Sequence, residues 1–203
     1  PSSVFRAALN AFPGRIRSRF NVVADRLERN GDNWQVFDAD GQLLATAPTL
    51  IMAAGTGAGR FAQFSWLPQA SARGQVSHLP AEKTKPLDKV VFRYAYAMPA
   101  IDGVRLIGAT SQLDDTDSSV RPADHAENLR HINRSLPDFA QTIDPVDIAG
   151  RVGFRPMSPD RLPIVGAVPD AGAARPNVRL HALPRQPGLW CVQIGRASCR
   201  ERV

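Results

Sequence analysis

Thr49-Leu50-Ile51-Met52-Ala53-Ala54-Gly55-Thr56-Gly57-Ala58-Gly59 runs from an apolar stretch straight into three glycines spaced two apart. An apolar run of this length, closed by turn residues, is expected for a strand buried on both faces. Glycines directly after a strand allow a tight turn and a close approach to a phosphate or cofactor. The pattern is not a complete dinucleotide fingerprint, which needs G-x-G-x-x-G, a following helix and an acid about 20 residues on. A short segment and Pro68 follow here instead. The stretch therefore reads as a strand-end turn beside a cofactor, not as the primary phosphate loop.

Upstream, residues 1–9 read as the end of a helix, with Val4, Phe5, Ala8 and Leu9 on one face, stopped at Phe12-Pro13-Gly14. Three short strands are expected next, over 21–28, 34–38 and 42–45, joined by the turns Asn30-Gly31-Asp32-Asn33 and Asp38-Ala39-Asp40-Gly41. Downstream, strands are expected over 73–79, 90–97 and 104–110. Residues 124–136 form the clearest helix, preceded by Pro122 and carrying Leu129, Ile132 and Leu136 at helical spacing. A strand over 144–154, an apolar turn at Pro163-Ile164-Val165-Gly166 and a last strand over 188–192 complete a loop-rich α+β chain with 17 prolines.

The final ten residues, Ile194 to Val203, read back as ATC GGA AGA GCG TCG TGT AGG GAA AGA GTG, a sequencing adapter without a gap. The chain also starts at Pro1 with no initiator Met, so a gene fragment cut at both ends is expected. The formal net charge is +6, of which Arg196, Arg200 and Arg202 against Glu201 in the tail supply +2. The remaining +4 permits an anionic partner such as RNA. Without the tail only Cys191 is left, which rules out an internal disulfide or a cysteine metal cluster and suits a reducing cytosol. No apolar run approaches the ~20 residues of a spanning helix.

Few residues stand out for chemistry. In Gly150-Arg151-Val152-Gly153-Phe154-Arg155-Pro156-Met157, an arginine within an apolar strand is costly to bury unless it meets an anion. Its planar fork suits a carboxylate, and an ion pair with an acid such as Asp160 is an equal alternative. His78, His125, His131 and His181 have no metal spacing, and His125 and His131 are expected on the exposed helix face. No serine lies in a G-x-S-x-G setting, which leaves a hydrolase unsupported. Tyr94 and Tyr96 are expected on one face of a strand, with core packing as their default role. Arg73, in Arg73-Gly74-Gln75, is open to either ligand contact or solvent.

Taken in order, Ala53-Ala54-Gly55, Arg73-Gly74-Gln75, Ile107-Gly108-Ala109-Thr110 and Gly153-Phe154-Arg155-Pro156 with Leu162-Pro163-Ile164-Val165-Gly166 resemble the FAD-dependent amine and amino-acid oxidases, glycine and sarcosine oxidase among them. Residues 73–80 and 162–170 are similar to one branch, the oxidoreductase domain of bifunctional enzymes that modify the tRNA wobble uridine.

The resemblance implies an α/β (α+β) chain in which a partial FAD-binding Rossmann-like domain is interleaved with an antiparallel substrate domain of the amino-acid oxidase type. Residues 1–64 and 151–193 would belong to the former, its G-x-G-x-x-G lying upstream, and 65–150 to the latter. It implies FAD as cofactor, bordered by Val23, Ala24, Ala53, Ala54, Gly55, Gly153, Pro163 and Gly166. Arg155 would hold the substrate carboxylate and carry catalysis, with Tyr96 and Arg73 as further substrate contacts. The implied reaction removes the carboxymethyl group of 5-carboxymethylaminomethyl-(2-thio)uridine in tRNA as glyoxylate, in the cytoplasm, with no metal and no membrane. S-adenosylmethionine would belong only to a methyltransferase domain, fused in these enzymes but not within this stretch. The alternatives are a glycine or sarcosine-type oxidase of free amines and, from another class, an RNA-binding module without redox chemistry.

Overall fold

The computed structural model describes residues 2–140, 143–173, 175 and 177–193, so the tail 194–203 lies outside the described residues. The chain forms two compact units, Pro1–Leu50 and Ile51–Val203.

In the first unit, helix α1 (Ser2–Asn10) precedes a meander of β1 (Arg26–Asn30), β2 (Asn33–Phe37) and β3 (Leu43–Ala47). The turns work as the sequence suggests. Asn30 pairs with Asn33 across a tight loop, and the Asp38 carboxylate accepts from the backbone N–H of Asp40 at 3.1 Å and of Gln42 at 2.7 Å. Leu27 and Val36 are directly paired, and Trp34 shares their face of the sheet; Leu27 and Trp34 are buried. Val22 and Val23 are exposed and precede β1 rather than lying within it.

The second unit holds two sheets. β5 (Ala70–Pro80), β6 (Val91–Phe92), β7 (Tyr96–Ala97), β8 (Val104–Gly108) and β10 (Ala149–Met157) form an antiparallel sheet in the order β10-β5-β8-β7-β6, with β9 (Gln112–Leu113) paired to β5. β11 (Ile164–Pro169), β12 (Arg185–Gln193) and β4 (Leu50–Met52) form the other, ordered β11-β12-β4. Residue 151, expected at a domain boundary, lies inside β10. No helix of the described residues is long and apolar enough to cross a membrane.

Helix α2 (Pro122–Ser135) begins with proline at its first position, where the missing N–H costs nothing, and has Asp124 in its first turn and Arg134 in its last. Its buried face sets Leu129 and Ile132 against Leu79, Ala97 and Ile107 of the sheet, with Phe139, Ala140, Ile143 and Ile148 closing the core. The other half of that interface is polar. Arg73 is fully buried, and all five of its N–H groups find acceptors: Asp117 O at 2.6 Å, Gln112 Oε1 at 3.0 Å, Asp124 Oδ2 at 2.5 Å, Gln75 Oε1 at 3.3 Å and Ser119 O at 2.6 Å. Asn128 donates to Gln75 O and Ser77 Oγ, both at 3.0 Å, and Ser77 Oγ lies 2.7 Å from His125 Nδ1.

Three expectations change. His125 does not lie on an exposed face: it is buried against β5, because Gly150 of β10 leaves room where a Cβ would stand 2.6 Å from its ring. Residues 90–97 are not one strand but the β6–β7 hairpin, bent so that Tyr94 is exposed while Tyr96 stays on the sheet. The apolar run 49–54 contributes only the three-residue β4, and its Ile51 is exposed. Among the described residues β4 pairs only with β12.

The polar interface has two consequences. Removing one partner of a buried ion pair leaves the other charge uncompensated, so Asp124→Ala should cost about 3–5 kcal/mol, read as a lowered midpoint in chemical denaturation. Burial, opposed in part by Asp124 and reinforced by His78, lowers the His125 pKa below the ordinary histidine value. A group with a depressed folded pKa stabilises the fold above its unfolded pKa of about 6.5 and loses that contribution as pH falls. The melting temperature should therefore drop between pH 7 and 5, and His125→Asn should flatten part of that slope.

Candidate functional site

The pleat of the antiparallel sheet sorts side chains by parity. Arg73, Gln75, Ser77 and Leu79 of β5 point to the α2 side. Ala72, Gly74, Val76 and His78 point the other way, together with their register partners Arg155, Gly153, Arg151 and Ala149 on β10. Val76 pairs with Gly108 of β8, and Gly108 with Tyr96 of β7, so Arg151, Val76, Gly108 and Tyr96 form one row across four strands. Phe92 on β6 is opposite Tyr96 and extends the row to the sheet edge. This open face carries two arginines and a tyrosine over a floor of glycine and small apolar residues.

Its geometry depends on Gly74. The Arg155 guanidinium lies directly against that glycine: a Cβ there would overlap Arg155 Nη2, come within 2.9 Å of its Cζ and within 2.8 Å of Thr110 O. Arg155 Nη2 faces Thr110 O at 3.5 Å, and the side chain is half-buried. The Tyr96 hydroxyl sits over Gly108, 3.4 Å from where a Cβ would stand. Burial raises the Tyr96 pKa, while the positive charges of Arg155 and then Arg151 pull it back in part. The hydroxyl therefore stays protonated and able to donate at neutral pH. Asp160, the alternative partner for Arg155, has its carboxyl held below the usual range first by the Leu162 backbone N–H, at 3.0 Å, and then by Ser158. These groups belong to its own loop.

Beyond Arg155 the same face opens into a cavity of about 730 Å³ lined by Gln69, Ala70, Leu113, Met157, Ser158 and Arg161 among others. A volume of this size suits a ring system of cofactor dimensions. Arg161 adds a cation to the lining, as a ring that becomes anionic on reduction requires. Gly55, at φ +57°, and Gly153 have nothing within 4 Å of an added Cβ, and Ala53, Ala54 and Pro163 are exposed. Val165 and Trp190 leave an apolar face on the second sheet. These residues stand apart from the cavity lining; the cavity itself, with Leu67, Leu113 and Met157 beside the cation Arg161, fits a flavin ring.

The expected residues thus divide. Arg155 and Tyr96 share one face, joined by Arg151, which no sequence signal separated from its neighbours. Gly153 lies on that face too, while Ala53, Ala54, Gly55, Pro163 and Gly166 lie elsewhere in the same unit and Val23 and Ala24 in the other unit. Arg73 is not a ligand contact: it is on the opposite face, and all of its donors are used within the protein.

The family model for FAD dependent oxidoreductases matches residues 4–193, and the chain belongs to that family. Among curated relatives, the "tRNA 5-methylaminomethyl-2-thiouridine biosynthesis bifunctional protein MnmC" of Aromatoleum aromaticum is 46% identical over 95% of this chain, and that of Paraburkholderia xenovorans 40% over 94%. The chain spans about 30% of the length of either relative. The fold is shared with glycine oxidase from Geobacillus kaustophilus, at a TM-score of 0.57 and 21% identity over 86% of this chain and 43% of that one. Iminodiacetate oxidase from Chelativorans sp. gives a TM-score of 0.54 at 23% identity, over 84% and 43%.

Gly74→Ala should expel the Arg155 guanidinium from its resting place and press on the Thr110 carbonyl beside it. In the full-length enzyme KM should rise at least tenfold, with the flavin absorption spectrum retained.

Proposed function

We propose that this chain is part of an oxidoreductase module that removes the carboxymethyl group from 5-carboxymethylaminomethyl-(2-thio)uridine in tRNA, in the cytoplasm, within a protein that also carries a methyltransferase domain. The observation that carries this reading is Arg155, half-buried on the open face beside Tyr96 and Arg151, together with relatives named for the biosynthesis of 5-methylaminomethyl-2-thiouridine in tRNA. Residues 1–64 and 151–193 would contribute to the FAD-binding domain and 65–150 to the substrate domain. Val23, Ala24, Ala53, Ala54, Gly55, Gly153, Pro163 and Gly166 would border FAD.

The chemistry follows from the groups on that face. Arg155 offers a fork for the carboxylate of the N-carboxymethyl group, and the Tyr96 hydroxyl is within the same patch to donate to it. With Arg155 neutralised by the carboxylate, Arg151 remains as a positive charge that disfavours protonation of the substrate amine. A neutral amine is the form whose neighbouring carbon can release hydride. Bound FAD would supply the acceptor for that hydride. The oxidised substrate is an imine, which takes up water and splits into the primary amine and glyoxylate. Fixing the carboxylate fixes the carbon to be oxidised, the positional contribution of a bound arginine.

The test uses the full-length, FAD-loaded enzyme with tRNA bearing the carboxymethylaminomethyl group, and with free glycine and sarcosine. Flavin bleaching and glyoxylate release should occur with the tRNA. Arg155→Ala should lower kcat/KM by about 10²- to 10³-fold, the value of charge-assisted hydrogen bonds worth ~1.5–3 kcal/mol each. Turnover of the free amines with no response to tRNA would move the assignment to the plain amino-acid oxidases.

A further inference from the structure

The open face does not stop at Tyr96. Phe92, its register partner on β6, is 63% exposed at the edge of the sheet, an aromatic ring left in solvent beside the site. At the bend that follows, Tyr94 is also exposed, and two guanidiniums converge on its ring: Arg93 at 5.1 Å and Arg134 at 3.9 Å from the centroid. The Tyr94 backbone N–H donates to Ser135 Oγ at 3.3 Å, which ties the bend to the last turn of α2. Arg130 stands one helical turn before Arg134 and is likewise exposed.

Among the described residues, none of Arg93, Arg130 and Arg134 has a carboxylate within 4.0 Å. Arg130 Nη2 lies 2.7 Å from His131 Nε2, and Glu127 lies 4.0 Å from the same ring. Two cations held at one ring repel each other, and a polyanion between them removes that cost. Exposed aromatic surface next to guanidiniums that no carboxylate neutralises is the combination that single-stranded nucleic acids require, one for the bases and the other for the phosphates.

We infer that the β6–β7 hairpin and the last turn of α2 form the contact for the single-stranded anticodon loop. Phe92 is the stacking surface for a base next to the one being oxidised, and Arg93 and Arg134 are the phosphate ligands. The inference rests on the tRNA reading and adds where the RNA lies. A base directed toward Arg155 passes Tyr96, and the adjoining nucleotides run over Phe92 toward the arginines.

The experiment compares Arg93→Gln/Arg134→Gln and Phe92→Ala with the parent, in the full-length FAD-loaded enzyme, on modified tRNA and on the free nucleoside. The ratio of kcat/KM for tRNA to kcat/KM for the nucleoside should fall about tenfold or more in each. The double glutamine variant should also reduce the slope of log K against log salt by about 1.4, two contacts at ~0.7 each for single-stranded RNA. The double lysine variant, which keeps the charges, should restore most of that slope. A parental ratio and salt slope in the glutamine variant, with tRNA still turned over, would overturn the surface and leave the tRNA reading intact. A change only in oligomeric state would overturn it in favour of a protein contact. A parent enzyme inert toward tRNA would defeat both.

Discussion

The buried ion pair between Arg73 and Asp124 is the contact around which the second unit is organised. A charge with no access to water is tolerable only when its desolvation is offset by a full set of hydrogen bonds. Arg73 meets that condition by drawing acceptors from β5, β9, the loop before α2 and α2 itself. Each acceptor is thereby fixed relative to β5. The arrangement specifies more than it stabilises, since an apolar core of equal volume would hold the layers together without choosing one register. Shifting β5 by a single residue would turn Arg73 to the open side and Gly74 into the helix.

The two faces of β5 are consequently one device. The α2 side is closed and every donor of Arg73 is used there, so the strand does not slide; the opposite side can then present glycine where the Arg155 guanidinium lies against it. Gly74 follows Arg73 directly, and the pleat sends them to opposite faces. The same logic operates on β10, where Gly150 admits the His125 ring on the helix side and the adjacent Arg151 emerges on the open one. Alternation of arginine and glycine in this sheet separates a structural layer from a chemical one.

Much of this was legible in the sequence, and what was not has physical causes. The meander, α2 and the run of strands follow from turn residues, helical spacing and the proline at the start of α2. The family resemblance singles out Arg155; an arginine inside an apolar strand by itself asks only for an anion, and Arg151 answers that description too. Arg73, open in sequence to ligand or solvent, meets neither, since parity assigns a face only once a neighbour shows which face is covered. His125 was misplaced because the room for it comes from Gly150, a residue distant in sequence; an isolated glycine inside a strand is the available sign of such a close approach. The hairpin at 90–97 hid within an apolar and aromatic run without glycine or proline at its bend. Arg93 and Tyr94 turn there because the last turn of α2 holds them, a tertiary cause that no local pattern announces.

That hairpin is also the least anchored part of the sheet. β6 and β7 have two residues each, against eleven in β5, and β6 has a single neighbour. Segments with few backbone pairings and much exposed surface open at low free energy compared with a central strand. On the proposed reading, a free amino acid would need no such element, because its carboxylate and amine would be met within the glycine-floored patch around Arg155. A nucleotide embedded in a chain does need one: its neighbours must be moved aside and held while the reacting carbon is kept in place. Rigid registration at β5 and β10 with a yielding, cationic and aromatic edge at β6 and β7 meets both demands in one sheet. On the tRNA reading, the gradient across that sheet, from buried centre to exposed rim, is what a small chemical target on a large polyanion would ask of a protein.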